Sequence, residues 1–250
     1  MTTTRPIFIP APDHHLVKEV IIEFEWFPGF SLSQKQKSIA ALHESAAKLC
    51  RLEFKDILEV SSRSFSKLGR SLSALNLMLY SNELGRNVTL EAVFQSSKIF
   101  SDHGRQSHLL QMSNGKEIKS LIRSFGDEPI IGFEHEGARW DLEPKTAFYD
   151  YLYLKGLVQF FEDNKDELNS FMGYGGFTDI EFNPKKSFNC QARSCALFVG
   201  LGGIRSDEQL LKSQETFLSA LKQHQYGYSI VEASSEPVQS KFEFPETSNP

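Results

Sequence analysis

Glu91, Gln95 and Lys98 lie four and three residues apart, the intervals at which side chains stack along one stripe of an α-helix. Phe94 falls on the same side. Two readings are open. In one, the stripe is solvated and steadied by a Glu91–Gln95 hydrogen bond. In the other it does chemistry. A lysine whose charged form is disfavoured by burial becomes a nucleophilic amine, able to form an imine at an aldehyde or hemiaminal carbon. A carboxylate beside it can shuttle the proton to a leaving group and then activate water. Gln95, both donor and acceptor, suits a polar substrate.

The elements that must carry this stripe are readable around it. Residues 90–100 form the expected helix, with Thr89 at its cap. The apolar stretch 72–80 and Val88-Thr89 flank a polar turn at 81–87, which could join a hairpin. Residues 20–27 alternate apolar and acidic positions in their second half and read as a strand stopped by Pro28-Gly29. Ser33 is a candidate cap for a helix with Ile39, Leu42, Ala46 and Leu49 at helical spacing. A short strand at 57–60 precedes a serine-rich link at 61–66, and residues 101–117 read as a loop. Residues 130–133 and 139–142 flank an acidic, glycine-containing turn and suit a second hairpin. Residues 145–161 read as a helix buried on more than one side, and Gly173 to Gly176 stops the helix after it. A loop at 178–187, a buried helix at 190–201 and a last helix at 207–223 complete the order. Residues 1–15, with three prolines, read as an extended lead-in. With no repeat and no linker, the expectation is one α+β domain, predominantly helical with a few short strands or hairpins. It spans 1–228, with 229–250 as a flexible tail.

Composition bounds the partners. The 250 residues carry a formal charge of −5, so no global field draws the chain to nucleic acid or anionic membrane. A polyanion would need a local patch. Lys116, Lys119 and Arg123, or Lys185, Lys186 and Arg193, are candidates, and either set reads equally as a solvated face. Twenty-one phenylalanines imply a phenyl-rich core. Trp140 and Tyr149 belong either to that core or to a surface that stacks on a purine. The three cysteines, Cys50, Cys190 and Cys195, lack metal-ligand spacing, and Cys190 and Cys195, among alternating small and apolar residues, read as buried free thiols. The amino-terminal residues have no signal-like apolar core and no run reaches membrane-spanning length, so the expected compartment is the cytoplasm. The seven histidines are scattered, so neither a metal site nor a cofactor is expected. The glycine clusters at 173–176 and 200–203 read as helix stops, not phosphate cradles.

The segment Leu72-Ser73-Ala74-Leu75-Asn76, followed by Val88-Thr89-Leu90-Glu91-Ala92-Val93-Phe94-Gln95-Ser96-Ser97-Lys98, resembles the paired signature of the NADAR superfamily. Residues 33–43, 146–153 and 176–192 resemble the branch of NADAR antitoxins that oppose DarT-type DNA ADP-ribosyltransferases. The resemblance covers roughly residues 5–205. It implies hydrolysis of the bond between ADP-ribose and the exocyclic amino group of guanine in DNA, with ADP-ribosylated DNA and, functionally, a DarT-type toxin as partners. It makes Glu91 and Lys98 the catalytic candidates, with Lys98 as amine nucleophile and Glu91 as proton shuttle. Ser73, Asn76, Phe94, Gln95, Asp179 and Asn189 become substrate-binding candidates. The superfamily commonly carries a Trp-Gly segment near its distal aspartate, whereas Asp179 is followed here by Ile-Glu-Phe-Asn183. Asp179, Asn183 and Asn189 therefore either bind ligand or order a loop through their own backbone.

Two further functions remain open on the sequence. One is an N-glycosidase acting on a free metabolite such as a riboflavin-pathway intermediate. The other is a non-catalytic antitoxin that neutralises a toxin by binding it.

Overall fold

A computed structural model describes residues 1–12, 15–112, 115–185, 187–203, 210–224 and 230–231. The chain opens with a ten-residue strand, β1 (Thr2–Ala11), where the sequence implied an extended lead-in. β1 pairs antiparallel along its whole length with β2 (Leu16–Glu25). Its prolines are tolerated because β1 meets its other neighbour, β10 (Gly176–Thr178), only at Phe8↔Phe177. Most of that edge makes no ladder, the setting that accepts proline. β10 also pairs in parallel with β3 (Ile57–Glu59). A two-residue strand, β11 (Ile230–Val231), adds in parallel to β2, just past the expected end of the domain. The sheet order is β11-β2-β1-β10-β3.

Strand alternation divides this sheet between two cores. Ile7, Ile22 and Ile57 face α1 (Leu32–Cys50) through Ile39, Leu42 and Ala46. Phe8, Leu58 and Phe177 face the opposite layer, built on α5 (Ala147–Asp163) and α7 (Gln191–Gly200). There Phe161, Phe171, Phe177 and Phe198 pack with ring centroids 4.9–5.8 Å apart, the phenyl-rich core the composition implied. α1 is capped by Ser31, whose hydroxyl accepts from the Gln34 N–H, two residues earlier than Ser33.

The remaining elements surround the site. Strands β4 (Met78–Ser81) and β5 (Arg86–Thr89) form the expected hairpin. Between β3 and that hairpin lies a short helix, α2 (Lys67–Ser71). Its Gly69 approaches β3 so closely that a Cβ there would lie 2.1 Å from the Glu59 carbonyl oxygen. Helix α3 (Leu90–Ser97) leads into a second sheet of β6 (Lys98–Phe100), β7 (Gly104–Arg105), β8 (Ile130–His135) and β9 (Ala138–Trp140). The β8–β9 hairpin agrees with the sequence reading. Helix α4 (Gly115–Ser124) replaces the end of the expected 101–117 loop. Helices α6 (Lys165–Met172) and α8 (Gln214–Gln223) complete the set of helices among the described residues, and residues 207–209 of the last expected helix lie outside them. The architecture is α+β. Among the described residues, no helix is long and apolar enough to cross a membrane.

Candidate active site

The Glu91 helix is short and entirely buried. Thr89 caps it as expected, its hydroxyl accepting from the Ala92 N–H. Its next orphan donors are taken up by the turn at 73–77. The Leu90 N–H donates to the Leu77 carbonyl at 2.8 Å and the Glu91 N–H to the Ala74 carbonyl at 3.0 Å. The serine–asparagine segment and the Glu–Gln helix are therefore one structural unit, which explains their pairing in the sequence. All eight helical residues, Glu91 and Gln95 included, are buried. The solvated reading of the stripe fails, although its hydrogen bond exists: Gln95 Nε2 donates to Glu91 Oε1 at 2.9 Å.

Lys98 is not on the helix. The helix stops at Ser97, and Lys98 has extended dihedrals, φ −64° and ψ 135°. It begins β6, opposite Phe133 of β8. Ladder pairing of residues 98–100 outweighs the helical period that continues through them. The bend nevertheless keeps Lys98 at the site, with Nζ 5.0 Å from the centroid of the Phe94 ring.

Glu91, Phe94, Gln95 and Lys98 line one cavity of about 560 Å³, together with Ser73, Asp179 and Asn189. Asn76 does not join them. It sits on an exposed turn, donates from Nδ2 to the Arg70 carbonyl at 2.8 Å, and faces a separate surface hollow beside Arg70 and Gln159. The turn that presents Ser73 to the cavity carries residue 76 to its far side. The cavity also gains Arg63, Tyr149, Glu181, Asn183 and Gln191. Gln191 is the most informative addition. At the start of α7 it accepts from the Ala74 N–H at 2.8 Å and bonds the Asp179 carboxylate, joining three distant segments. No local spacing marks it, because its partners are distant in sequence. Tyr149 meets Phe94 edge-on at 5.0 Å, and burial raises its phenol well above the usual range. Trp140 is core, packed against Phe148, Tyr151 and Phe217.

Asp179 and Asn183 order their loop and also face the cavity. Each orders the loop after β10, Asp179 Oδ1 accepting from the Glu181 N–H and Asn183 Oδ1 from the Lys185 N–H, both at 3.0 Å, and each also lines the cavity. Burial pushes the Asp179 carboxyl up, against hydrogen bonds from Glu181 and Gln191 that lower it. Behind the loop, Glu59 accepts from Ser61 Oγ at 2.6 Å, Thr178 Oγ1 at 2.7 Å and the Ile180 N–H at 2.9 Å. Glu59 thus clamps together the two loops that frame the cavity, at 61–64 and 178–182. Burial raises its carboxyl too, and the Asp179 charge adds to the rise.

His43 Nε2 completes this chain at 2.7 Å from Thr178 Oγ1, and burial holds its imidazole down to about 4. An unfolded histidine titrates near 6.5, so below about pH 6.5 the unfolded chain takes up a proton that the folded one refuses, and stability falls until about pH 4. Glu59 and Asp179, both raised, act with the opposite sign over the acid range. The expected outcome is that His43→Gln removes up to about 3 kcal/mol of the acid-side loss. Urea unfolding at pH 7 and pH 4.5 of both proteins measures it, and equal pH dependence would refute it.

Of the two basic sets, the structure removes one member, Arg193, from any surface patch. Arg193 is buried and paired with Asp150 at 3.0 Å, while the side chains of Lys116 and Lys119, and residue Lys186, lie outside the described residues. A smaller pocket of about 250 Å³ adjoins the cavity through Tyr149 and Asn189. It is lined by Phe133, Leu142, Phe148 and Phe188.

A buried carboxylate–amide pair, a lysine over an aromatic ring and a cavity with both acidic and basic rims form a site suited to a polar, sugar-like ligand. No curated protein matches the chain. A family model described as DarT1-associated NADAR antitoxin matches residues 3–229. That match takes in every segment framing the cavity, and the chain belongs to the DarT1-associated NADAR antitoxin family.

Proposed function

We propose that this protein removes ADP-ribose from guanine bases of DNA and so reverses the modification made by a DarT-type toxin. The observation that carries the reading is the convergence of Glu91, Phe94, Gln95 and Lys98 with Ser73, Asp179 and Asn189 on one cavity in a chain of this antitoxin family.

In the mechanism, Glu91 takes a proton from the Lys98 ammonium. The freed amine attacks the anomeric carbon of the ribose as its bond to the exocyclic guanine nitrogen breaks, and Glu91 returns the proton to that nitrogen. The bond from the anomeric carbon to the ring oxygen of the resulting glycosylamine then opens, the amine proton passing to that oxygen, and leaves an imine. The Lys98 imine left on the sugar is then hydrolysed by water, which Glu91 activates, releasing ADP-ribose and free lysine. Gln95 holds the Glu91 carboxylate in place, and Phe94 supports the lysine stem. Ser73, Asp179 and Asn189 orient the sugar.

The test is incubation of the protein with an ADP-ribosylated guanine-containing oligonucleotide, reading released ADP-ribose by chromatography. A riboflavin-pathway N-glycoside serves as the competing substrate. Release from the metabolite alone would replace this reading with a metabolic one. Protection of toxin-expressing cells by a Glu91→Gln/Lys98→Ala double variant would replace hydrolysis with binding. Within the mechanism, Gln95→Ala removes a buried hydrogen bond to a carboxylate. The expected loss is about 2 kcal/mol, or roughly thirty-fold in kcat/KM. Unchanged steady-state kinetics would remove Gln95 from the machinery.

A further inference from the structure

The charges around the cavity are unevenly matched. Among the described residues, its lining holds three acidic side chains, Glu91, Asp179 and Glu181, and two basic ones, Arg63 and Lys98. Lys98 lies over Phe94, at the Glu91–Gln95 end. On the other rim, Glu181 already has a closer cation, because Lys35 Nζ stands 3.1 Å from Oε1 whereas Arg63 Nε stands 3.9 Å away. Arg5 lies in the field of both Asp179 and Glu181. The acidic rim is thus neutralised from behind. Arg63 Nε is buried and makes no hydrogen bond, although a buried N–H left without an acceptor is costly.

The turn that carries Arg63 is anchored. Its N–H donates to Ser61 Oγ at 3.2 Å, the Ser64 N–H donates to the Ser61 carbonyl at 3.1 Å, and the Ser61 hydroxyl is held by Glu59. Glu59 also holds the Ile180 N–H, so Arg63 is fixed relative to Asp179 by a single carboxylate. A guanidinium on a tethered turn, lining a cavity and lacking an acceptor for one N–H, suits a planar, bidentate oxyanion.

We propose that Arg63 is the anion-binding residue of the cavity and takes the diphosphate of a nucleoside diphosphate sugar whose ribose lies at Lys98. This rests on the glycohydrolase reading for the sugar, while the diphosphate site itself can be tested without turnover. The probes are ADP, ADP-ribose and adenosine, titrated calorimetrically into the full chain and into Arg63→Ala and Arg63→Lys. The Arg63 side chain is 39% exposed, so both variants fold, and thermal melts verify it. Arg63→Ala weakens ADP and ADP-ribose by about 10- to 100-fold and leaves adenosine unchanged. Arg63→Lys recovers only part of the loss, because an ammonium cannot form the fork. Equal ADP affinity for the full chain and Arg63→Ala overturns the proposal, as does ADP binding the full chain no better than adenosine. If ADP binding depends on Arg63 but modified DNA is not cleaved, the diphosphate site stands and the glycohydrolase reading falls. If cleavage by Arg63→Ala keeps its KM, the site falls and the reading stands.

Discussion

Lys98→Arg is expected to lose DNA de-ADP-ribosylation by on the order of 1,000-fold or more while folding normally. Arginine keeps the positive charge and the stacking over Phe94, which lies 5.0 Å from the lysine nitrogen. It cannot be deprotonated in water at neutral pH, so it cannot become the attacking amine. The substitution therefore separates two roles that Lys98→Ala would merge. If the lysine only stabilises developing negative charge, arginine retains most of the rate. If it is the nucleophile, both variants are dead. A second readout is chemical. Borohydride added during turnover traps the imine as a stable amine, and peptide mass spectrometry then places ADP-ribose on residue 98. An active Lys98→Arg protein, or no trapped adduct in the wild type, would end the covalent mechanism.

The largest expected effect on stability lies beneath the site. Asp150 is buried and accepts from Thr146 Oγ1 at 2.7 Å, Arg193 NH1 at 3.0 Å and Ser194 Oγ at 2.6 Å. This carboxylate joins α5, whose Tyr149 lines the cavity, to α7, whose Gln191 does the same. Asp150→Ala removes the carboxylate bonded to the buried Arg193 guanidinium, and breaking a buried pair from one side costs up to about 3–5 kcal/mol in comparable sites. For a chain of this length that is a fall of roughly 10 °C in Tm. Glu19 is near enough to Arg193 for its acidity to respond to the arginine's charge, so it offsets part of the loss. Asp150→Asn keeps the shape and one acceptor and is expected to lose less. Denaturant midpoints decide the matter, and a loss under about 1 kcal/mol for Asp150→Ala would show that the network is not what holds α5 to α7.

Local chemistry made some parts of this molecule legible and hid others. The Thr89 cap, the apolar period of α1 and both hairpins depend on residues a few positions apart, and each was readable. α4 and β10 were not. β10 is three residues long and has meaning only between β1 and β3, which lie far away in sequence. β1 was hidden by prolines whose cost depends on which edge of the strand is paired. The buried arginine Arg193 looks in sequence like a surface charge, because its carboxylate partner is forty-three residues away.

The stripe of Glu91, Gln95 and Lys98 divides in the same way. The sequence by itself determined that a carboxylate, an amide and an amine lie within seven residues, behind a capped helix start and beside a paired serine segment. That follows from short-range geometry. Only the tertiary structure decided that the first two are buried and that the third leaves the helix. It also turned Asn76 away and brought Arg63, Asp179 and Gln191 to the same cavity. The physical reason is that burial, strand pairing and hydrogen bonds across 117 and 121 residues belong to the packed chain. They leave no periodic trace in its sequence.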